Sequence, residues 1–161
     1  MPQTSDPIAT SGTTESNRPG KRFRRSDVAG AVTEFHAAFD LPVRATPSIE
    51  ISDSLAKLRV TLLEEECGEF VSAAQARDLV AIADALADVV YVAYGTAVTY
   101  GIDLDLVLSE VHRANMSKLD HNGKAIKRAD GKVLKSERYT PPDVKAMLQL
   151  QPPLVPPSRS G

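Results

Sequence analysis

Apolar residues recur three and four positions apart along most of the chain, and the breaks in this pattern predict five helices. Such spacing places the apolar side chains on one face of an α-helix. The predicted helices run from Asp27 to Phe39, Asp53 to Ala76, Leu79 to Tyr100, Leu104 to about Leu119, and Thr140 to about Leu148. The sequence therefore predicts an all-α fold, a helical bundle of about five helices.

Residues with capping side chains flank these stretches. Ser26, Asp78 and Asp103 are expected to be N-caps, and Gly101 is expected to close the third helix. The run Thr140-Pro141-Pro142-Asp143 resembles a helix start with the Thr140 hydroxyl as the cap. Between the last two helices, the turns at 122–123 and 130–131 predict a very short hairpin that pairs residues 125–127 with 132–134.

The two ends of the chain lack helical periodicity. Residues 1–24 are rich in Ser, Thr, Pro and Gly and are predicted to be a disordered tail. That tail ends in a basic run, Lys21, Arg22, Arg24 and Arg25, which we interpret as solvated. Residues 149–161 are rich in proline and are also expected to be loose. The predicted all-α domain therefore spans residues 25–148.

Composition narrows the class of protein. Of the 161 residues, 42% are hydrophobic, only 5% are aromatic and none is Trp, which favours helices over a β-sandwich. The single cysteine, Cys67, excludes an intramolecular disulfide and a Cys-rich zinc site. A net charge of −2 makes nucleic acid an unlikely partner. The longest apolar stretch is interrupted by Asp84 and Asp88, and no signal-like segment is present. We therefore expect a cytoplasmic protein without a membrane span.

Acidic residues interrupt the apolar faces of the second and third helices. On the second helix, two acids lie within an arc of roughly 80° that is otherwise apolar; the members are Leu55, Leu58, Leu62, Glu66, Glu69 and Ala73. The matching face of the third helix holds Val80, Asp84, Asp88, Tyr91, Gly95 and Val98. Its reverse face is also apolar, with Leu86, Val89, Val90, Ala93 and Ala97. A helix that is apolar on both sides is buried on both sides, so we expect Asp84 and Asp88 to be inside.

These acids have no basic partner on their own helices. None of Glu65, Glu66, Glu69, Asp84 and Asp88 is followed by Lys or Arg four positions later. Buried carboxylates without a partner would cost several kcal/mol each. A bound divalent cation offsets that cost, and oxygen ligands favour Mg²⁺, with Mn²⁺ as a possible substitute. The alternative is a set of salt bridges from distant segments.

Several motifs in order resemble one family. They are residues 62–69 (LLEEECGE), 84–91 (DALADVVY), 94–97 (YGTA), 110–118 (EVHRANMSK) and 130–135 (DGKVLK). The chain resembles the MazG-like all-α nucleoside triphosphate pyrophosphohydrolases over roughly residues 35–148. That superfamily also contains dimeric dUTPases and phosphoribosyl-ATP pyrophosphohydrolases. The resemblance implies a homodimer or homotetramer, in agreement with a third helix that needs cover on both faces.

The resemblance implies roles for the acids. Glu66 and Glu69 match the family's Glu-x-x-Glu metal ligands, and Asp88 matches the Asp of its Glu-x-x-Asp. Ala85 stands where that pattern has its Glu, so Asp84 is the candidate replacement, directly or through water. Glu65 is the candidate catalytic residue that orients or deprotonates the attacking water. The alternative for Glu65 is a supporting or surface acid.

Five further residues are candidates for substrate binding: Tyr91, Arg113, Asn115, Lys118 and Lys135. Asn115 continues the apolar stripe of Leu104, Leu108 and Val111, so we expect it to point inward and bind sugar or phosphate. The basic residues are candidates for the phosphate tail, although a lone lysine is more often only solvated. The Tyr91 ring is a candidate for stacking on a base, and a core position is the alternative.

The implied reaction is Mg²⁺-dependent hydrolysis of a (deoxy)nucleoside triphosphate to a monophosphate and pyrophosphate. We favour dUTP as the substrate, with broader house-cleaning of several or damaged deoxynucleotides as the runner-up. A ferritin-like di-iron bundle would need Glu-x-x-His pairs, which the chain's three histidines do not form. A non-catalytic nucleotide- or metal-binding regulatory module stays open as an alternative.

Overall fold

The computed structural model describes residues 27–155, and its regular elements in that range are all helices. The five helices are α1 (Asp27–Ala38), α2 (Asp53–Ala76), α3 (Leu79–Tyr100), α4 (Leu104–Met116) and α5 (Val144–Leu150). The all-α expectation is confirmed, and the predicted bounds of α2 and α3 agree with the structure. The proposed cap Ser26, the tail 1–24 and its basic run lie outside the described residues.

Three of the predicted caps are present: Asp78 and Asp103 at helix starts and Gly101 at the end of α3. The Asp78 carboxylate accepts from the N–H groups of Val80 and Ala81, and the Asp103 carboxylate accepts from that of Leu106. Gly101 ends α3 with a positive φ of 74°. A Cβ atom there would collide with the carbonyl oxygen of Thr46, so glycine is required at this close approach.

Two helix ends differ from the prediction. α4 stops at Met116 rather than near Leu119, because the N–H groups of Lys118 and Leu119 reach back only three residues and tighten the last turn. α5 begins at Val144, and its cap is Asp143 rather than Thr140. The physical reason is the second proline, since a residue that precedes proline is disfavoured in the helical conformation.

The core lies where α1 crosses the C-terminal half of α3. Val32, Tyr94 and Val98 are buried together there, and Leu104 packs against them. The Tyr94 hydroxyl donates to the buried Asp105 carboxylate at 2.7 Å and ties α3 to the start of α4. α2 packs along α3, and α4 packs against α5. This arrangement leaves the N-terminal half of α3 covered mainly by α2.

The expectation that Asp84 and Asp88 are buried is wrong for the single chain, because both are exposed. The reverse face is open as well, with Leu86 47% and Val90 46% exposed. α1 reaches α3 only towards its C-terminal end, so one chain has no element that covers both faces. By length and composition alone, α3 could also cross a membrane. A core helix of a soluble protein passes the same test.

An arm of residues 117–143 connects α4 to α5. The predicted hairpin is present as isolated bridges rather than strands, with Lys127 opposite Val133. The start of the Pro-rich segment is not loose, which corrects the prediction for its described part. The Gln151 side chain donates to the Gly101 carbonyl at 2.8 Å, and the Leu154 N–H donates to the Ala45 carbonyl at 2.8 Å. These bonds dock residues 151–154 against the α3–α4 corner.

Candidate active site

The acids of α2 and α3 converge around Glu66. This side chain is half-buried between the two helices, and its pKa is raised. The largest cause is burial, followed by the negative charges of Asp88, Glu69, Glu65 and Asp84. The four carboxylates that raise the pKa of Glu66 are the other four acids predicted from the sequence to form the site. The antiparallel packing of α2 on α3 therefore brings both acid pairs to one place.

A groove of about 340 Å³ opens beside these acids, between the end of α2 and the start of α3. Glu69 stands on one wall and Asp84 on the other. Small side chains line the rest and keep the groove open: Ser72, Ala73, Ala76, Ala81 and Ala85, together with the cap Asp78. The site is thus an accessible acidic groove rather than an enclosed pocket.

The chemistry of this donor set fits a hard divalent cation. Every ionisable donor among Glu65, Glu66, Glu69, Asp84 and Asp88 is a carboxylate, and oxygen ligation is what Mg²⁺ and Mn²⁺ prefer. Within residues 27–155, no three acidic, histidine or cysteine side chains lie close enough to hold an ion as they stand. Exposed carboxylates can turn about their own side-chain bonds and so approach one another more closely.

The position that departs from the Glu-x-x-Asp pattern has a structural explanation. Ala85 is only 4% exposed and faces the α2–α3 contact, where a long acid would be buried. Asp84 is exposed, lines the groove and acts on Glu66 through its charge. The geometry is compatible with Asp84 as the fourth carboxylate of the group.

The predicted phosphate-binding residues of α4 lie apart from the acids. Within the described part of the chain, no basic side chain is close enough to shift the pKa of Glu66. α4, which carries Arg113 and Asn115, packs on α5 and has no extensive contact with α2 or α3. One chain therefore does not bring the candidate phosphate-binding residues to the acidic groove.

Asn115 does not point inward, which corrects the prediction. It is exposed, and its side-chain oxygen accepts from the Lys118 ammonium at 2.7 Å. The buried residues of α4 are Asp105 and Ala114, so the helix faces its neighbours with a different side from the leucine stripe. Leu108 of that stripe is itself exposed.

Arg113 has structural partners. Its guanidinium makes a two-pronged ion pair with Glu110, at 2.7 and 2.8 Å, and also donates to the Thr140 hydroxyl at 2.6 Å. Glu110 in turn accepts from the Asp143 N–H at 2.9 Å. These bonds lower the pKa of Glu110 to about 2, chiefly through Arg113. We refer to Glu110, Arg113 and their bonds to residues 140–143 as the α4 clamp.

Tyr91 and Lys135 each contact an aromatic ring. The Tyr91 ring, which follows Asp88 by three residues on α3, meets the Phe35 ring edge-on with centroids 5.7 Å apart. The Lys135 ammonium lies 4.4 Å above the centre of the Tyr139 ring. Tyr91 is therefore the one substrate-binding candidate that stands beside the acids.

Comparison with known proteins identifies the family. The family model described as phosphoribosyl-ATP pyrophosphohydrolase matches residues 32–115, slightly more than half of the chain. The chain belongs to the phosphoribosyl-ATP pyrophosphohydrolase family. This family is part of the MazG-like superfamily, so the resemblance seen in the motifs is confirmed. The matched stretch contains all five acids of the site and ends at Asn115, before Lys118 and Lys135.

A viral protein is similar to part of the chain. An uncharacterized protein of Acanthamoeba polyphaga mimivirus is 40% identical over 78 residues, which make up 47% of the chain. The match spans 31% of the viral protein, so the chain covers about a third of that relative's length.

Sequence reasoning missed a buried cation in this phosphoribosyl-ATP pyrophosphohydrolase family member. Arg59 of α2 is buried, and its guanidinium donates to the Thr96 hydroxyl at 3.2 Å and the Val92 carbonyl at 3.3 Å. Burial lowers its pKa. Arg59 lies over Gly95, where the missing side chain makes room for it. The one sequence signal was that glycine within a long apolar helix.

Proposed function

We propose that this protein is a divalent-metal-dependent nucleoside triphosphate pyrophosphohydrolase that releases a monophosphate and pyrophosphate. The observation that carries the proposal is the cluster of five carboxylates around Glu66 on α2 and α3, with no basic side chain of the described residues acting on Glu66. Two of the five, Glu69 and Asp84, line the groove between the helices. Carboxylates gathered in this way repel one another, and a bound cation would relieve that repulsion. The family description, pyrophosphohydrolase, agrees with this chemistry.

Glu66, Glu69 and Asp88, together with Asp84, would hold the cation, Mg²⁺ in our proposal, with Mn²⁺ as a substitute. When bound, the ion neutralises phosphate charge and helps the pyrophosphate to leave. The open groove admits a phosphate chain from solvent. Small residues along its walls, such as Ala76 and Ala81, leave space beside the carboxylates.

Glu65 is the proposed base. It is exposed, it precedes the central Glu66, and its charge contributes to the raised pKa of Glu66. A water molecule attacks the α-phosphorus and gives a proton to Glu65 as its oxygen bonds to phosphorus. The bond between the α-phosphorus and the α–β bridging oxygen breaks, and pyrophosphate departs with the bonding pair. The proton on Glu65 then returns to solvent.

For the substrate we propose a deoxynucleoside triphosphate, with dUTP first and broader house-cleaning of several deoxynucleotides second. The family's description names phosphoribosyl-ATP, which makes that compound the third candidate. The test is pyrophosphate release from dUTP, the four common deoxynucleotides and phosphoribosyl-ATP, with Mg²⁺ and with EDTA. We expect release only with Mg²⁺ and fastest from dUTP. An equal rate on all deoxynucleotides would remove the preference for dUTP and leave the chemistry.

Product analysis tests the bond that is broken. Chromatography of a dUTP digest should show dUMP and pyrophosphate in equal amounts. The appearance of dUDP with inorganic phosphate would contradict attack at the α-phosphorus.

The second candidate is a non-catalytic module that binds a nucleotide or a metal ion. It is favoured by the single chain, in which no three acidic, histidine or cysteine side chains of the described residues are grouped closely enough to hold a metal ion for catalysis. Calorimetry separates the two: a regulatory module would bind dUTP and Mg²⁺ without turnover. We also propose that the protein is a homodimer or homotetramer, because one chain leaves Leu86 and Val90 on the α3 reverse face nearly half exposed.

A further inference from the structure

Three aromatic side chains form an exposed cluster on α1 and α3, with Tyr91 one helical turn beyond the acid Asp88. Phe35 and Phe39, one turn apart on α1, have ring centroids 4.5 Å apart, and Phe35 meets Tyr91 of α3 at 5.7 Å. Phe39 is 64% exposed, and the other two rings are more than a third exposed. We call Phe35, Phe39 and Tyr91 the aromatic platform. An exposed cluster of large apolar rings of this kind is often a ligand-binding surface.

The platform is not displaced core. The side chains that α1 buries are Val32 and His36, whereas Phe35 and Phe39 lie on the neighbouring side of the helix. The chain around Phe39 is also held in place: Asp40 takes the left-handed conformation with a φ of 53°, and the Leu41 N–H donates to the His36 carbonyl at 2.8 Å. The rings are therefore presented to solvent by a fixed helix end.

The position of the platform next to the acids indicates its partner. Tyr91 follows Asp88 by three residues, so the two side chains are neighbours on one face of α3. A nucleotide has phosphates, which suit a cation held by the carboxylates, and a flat base, which stacks on aromatic rings. The acids and the aromatic rings thus adjoin each other at Asp88 and Tyr91.

We propose that Phe35 and Phe39 form, with Tyr91, the surface on which the nucleobase of the substrate stacks. This inference rests on the proposed function and extends it by two residues. Phenylalanine rings have no hydrogen-bonding groups, so the platform holds any base by its face and does not read its edge. The platform therefore contributes affinity for nucleotides as a class, and selection among bases must come from other contacts.

A second copy of the chain fits this surface less well. The three partly exposed rings offer roughly 300 Å² together, given about 150–250 Å² for each whole aromatic side chain. A stable protein interface needs about 800 Å² on each partner. The small area and the adjacency to the acids both favour a flat ligand of the size of a base.

The experiment compares a nucleotide with its base-free equivalent. For Phe39→Ala we expect a KM for dUTP and for dATP that is about 5- to 100-fold higher. The KM for inorganic tripolyphosphate and the kcat for all three compounds should be unchanged. Phe39→Leu keeps apolar area but lacks the aromatic face, so it should resemble Phe39→Ala. Ile49→Ala, at an exposed apolar residue outside the platform, is the matched control.

Other outcomes separate this inference from the proposed function. If wild type hydrolyses nothing, calorimetry with a non-hydrolysable α,β-imido deoxynucleotide still tests the platform, and loss of binding in Phe39→Ala supports it. Equal nucleotide affinity in wild type and Phe39→Ala overturns it, whatever the activity. A variant that changes the sedimentation coefficient without changing nucleotide affinity would show that a second copy covers the rings, which also overturns it.

Discussion

At the scale of single residues, the five carboxylates of the site have unequal positions. Glu66 is half-buried at the centre, whereas Glu65, Glu69, Asp84 and Asp88 stand around it in solvent. Their mutual repulsion opposes folding when no cation is present, and it is relieved when one carboxylate loses its charge. Substitution of these residues should therefore affect turnover and stability in opposite directions.

The first prediction concerns Glu69→Gln and Asp88→Asn. Both variants should lose turnover by at least a hundredfold and keep the helical signal in circular dichroism. They should melt no lower than wild type without metal, since each variant removes a repelling charge. Mg²⁺ should raise the melting temperature of wild type and not of the variants, because a ligand that binds only the folded state stabilises it. Equal stabilisation of all three proteins would place the cation elsewhere.

Asp84→Asn is a separate prediction, because Asp84 stands one position before the family's acidic position. Its exposed carboxylate lines the groove, so a direct or water-mediated contact with the cation is within reach. We expect a large loss of turnover that is smaller than for Asp88→Asn, measured as pyrophosphate release under the same conditions. Turnover equal to that of wild type would exclude Asp84 from the group.

At the scale of elements, the contact between α2 and α3 depends on a glycine. A Cβ atom at Gly95 would lie 2.6 Å from the Arg59 guanidinium and 2.9 Å from the His36 ring. Both side chains are buried and hydrogen-bonded, so they have little room to retreat. The tight packing at Gly95 therefore sets how closely α1 and α2 approach α3.

Gly95→Ala should lower the free energy of unfolding by about 1–3 kcal/mol, the usual cost of overpacking a core. Gly30→Ala in α1 is the matched control, since its Cβ meets nothing within 4 Å. The control should raise stability by about 0.5–1 kcal/mol, because alanine suits a helix better than glycine. Urea unfolding monitored by circular dichroism measures both. A Gly95→Ala protein as stable as wild type would show that Arg59 moves freely.

The α4 clamp makes a pH-dependent contribution to stability. The pKa of Glu110 is about 2 in the folded protein, against about 4.3 in an unfolded chain. A lowered carboxyl pKa stabilises the fold above the unfolded value, and this stabilisation is lost as the pH falls towards the folded value. Glu110→Gln should therefore be less stable than wild type at pH 6, and the difference should shrink between pH 4.5 and pH 2.

Urea unfolding across that pH range measures the difference between the two proteins. Glu137→Gln is the control, because Glu137 is largely exposed and only 4.0 Å from its His121 partner. Surface pairs of this kind contribute little, so its difference from wild type should stay flat. A difference for Glu110→Gln that does not change with pH would show that the clamp acts without the charge.

At the scale of the whole molecule, the single chain leaves an apolar surface uncovered. Leu86 and Val90 on the reverse face of α3 are both nearly half exposed, and Leu79 and Val80 at its start are more so. Burial of such surface in an assembly would be favourable by about 25 cal/mol per Å². The same surface explains why α3 has the composition of a membrane span.

We predict that the protein sediments as at least a dimer at micromolar concentration and that Val90→Asp shifts it to a monomer. A charge introduced at the centre of an apolar interface would be desolvated without a partner. Ile49→Asp, at an exposed apolar residue in the loop between α1 and α2, should leave the assembly unchanged. A folded wild-type monomer at micromolar concentration would contradict the proposed oligomer.

The sequence by itself determined the local elements and the identity of the acids. Apolar spacing together with Asp78, Gly101 and Asp103 located α2 and α3 and the start of α4, because caps and helical periodicity are properties of neighbouring residues. Helical periodicity also indicated that acids on α2 and α3 share faces with apolar residues. The predicted start of α5 at Thr140 was wrong. Pro142 disfavours the helical conformation of the residue before it, so the helix begins at Val144.

Only the tertiary structure decided which faces are covered. Arg59 is buried, although arginine is usually exposed. Asn115 is exposed, although it continues the apolar stripe of α4. In both cases burial depends on which neighbour the helix packs against. The same is true of Phe35 and Phe39, whose exposure beside Tyr91 follows from how α1 crosses α3. Contacts between distant segments leave no periodic signal in one sequence, and those contacts are what place the aromatic platform beside the acids.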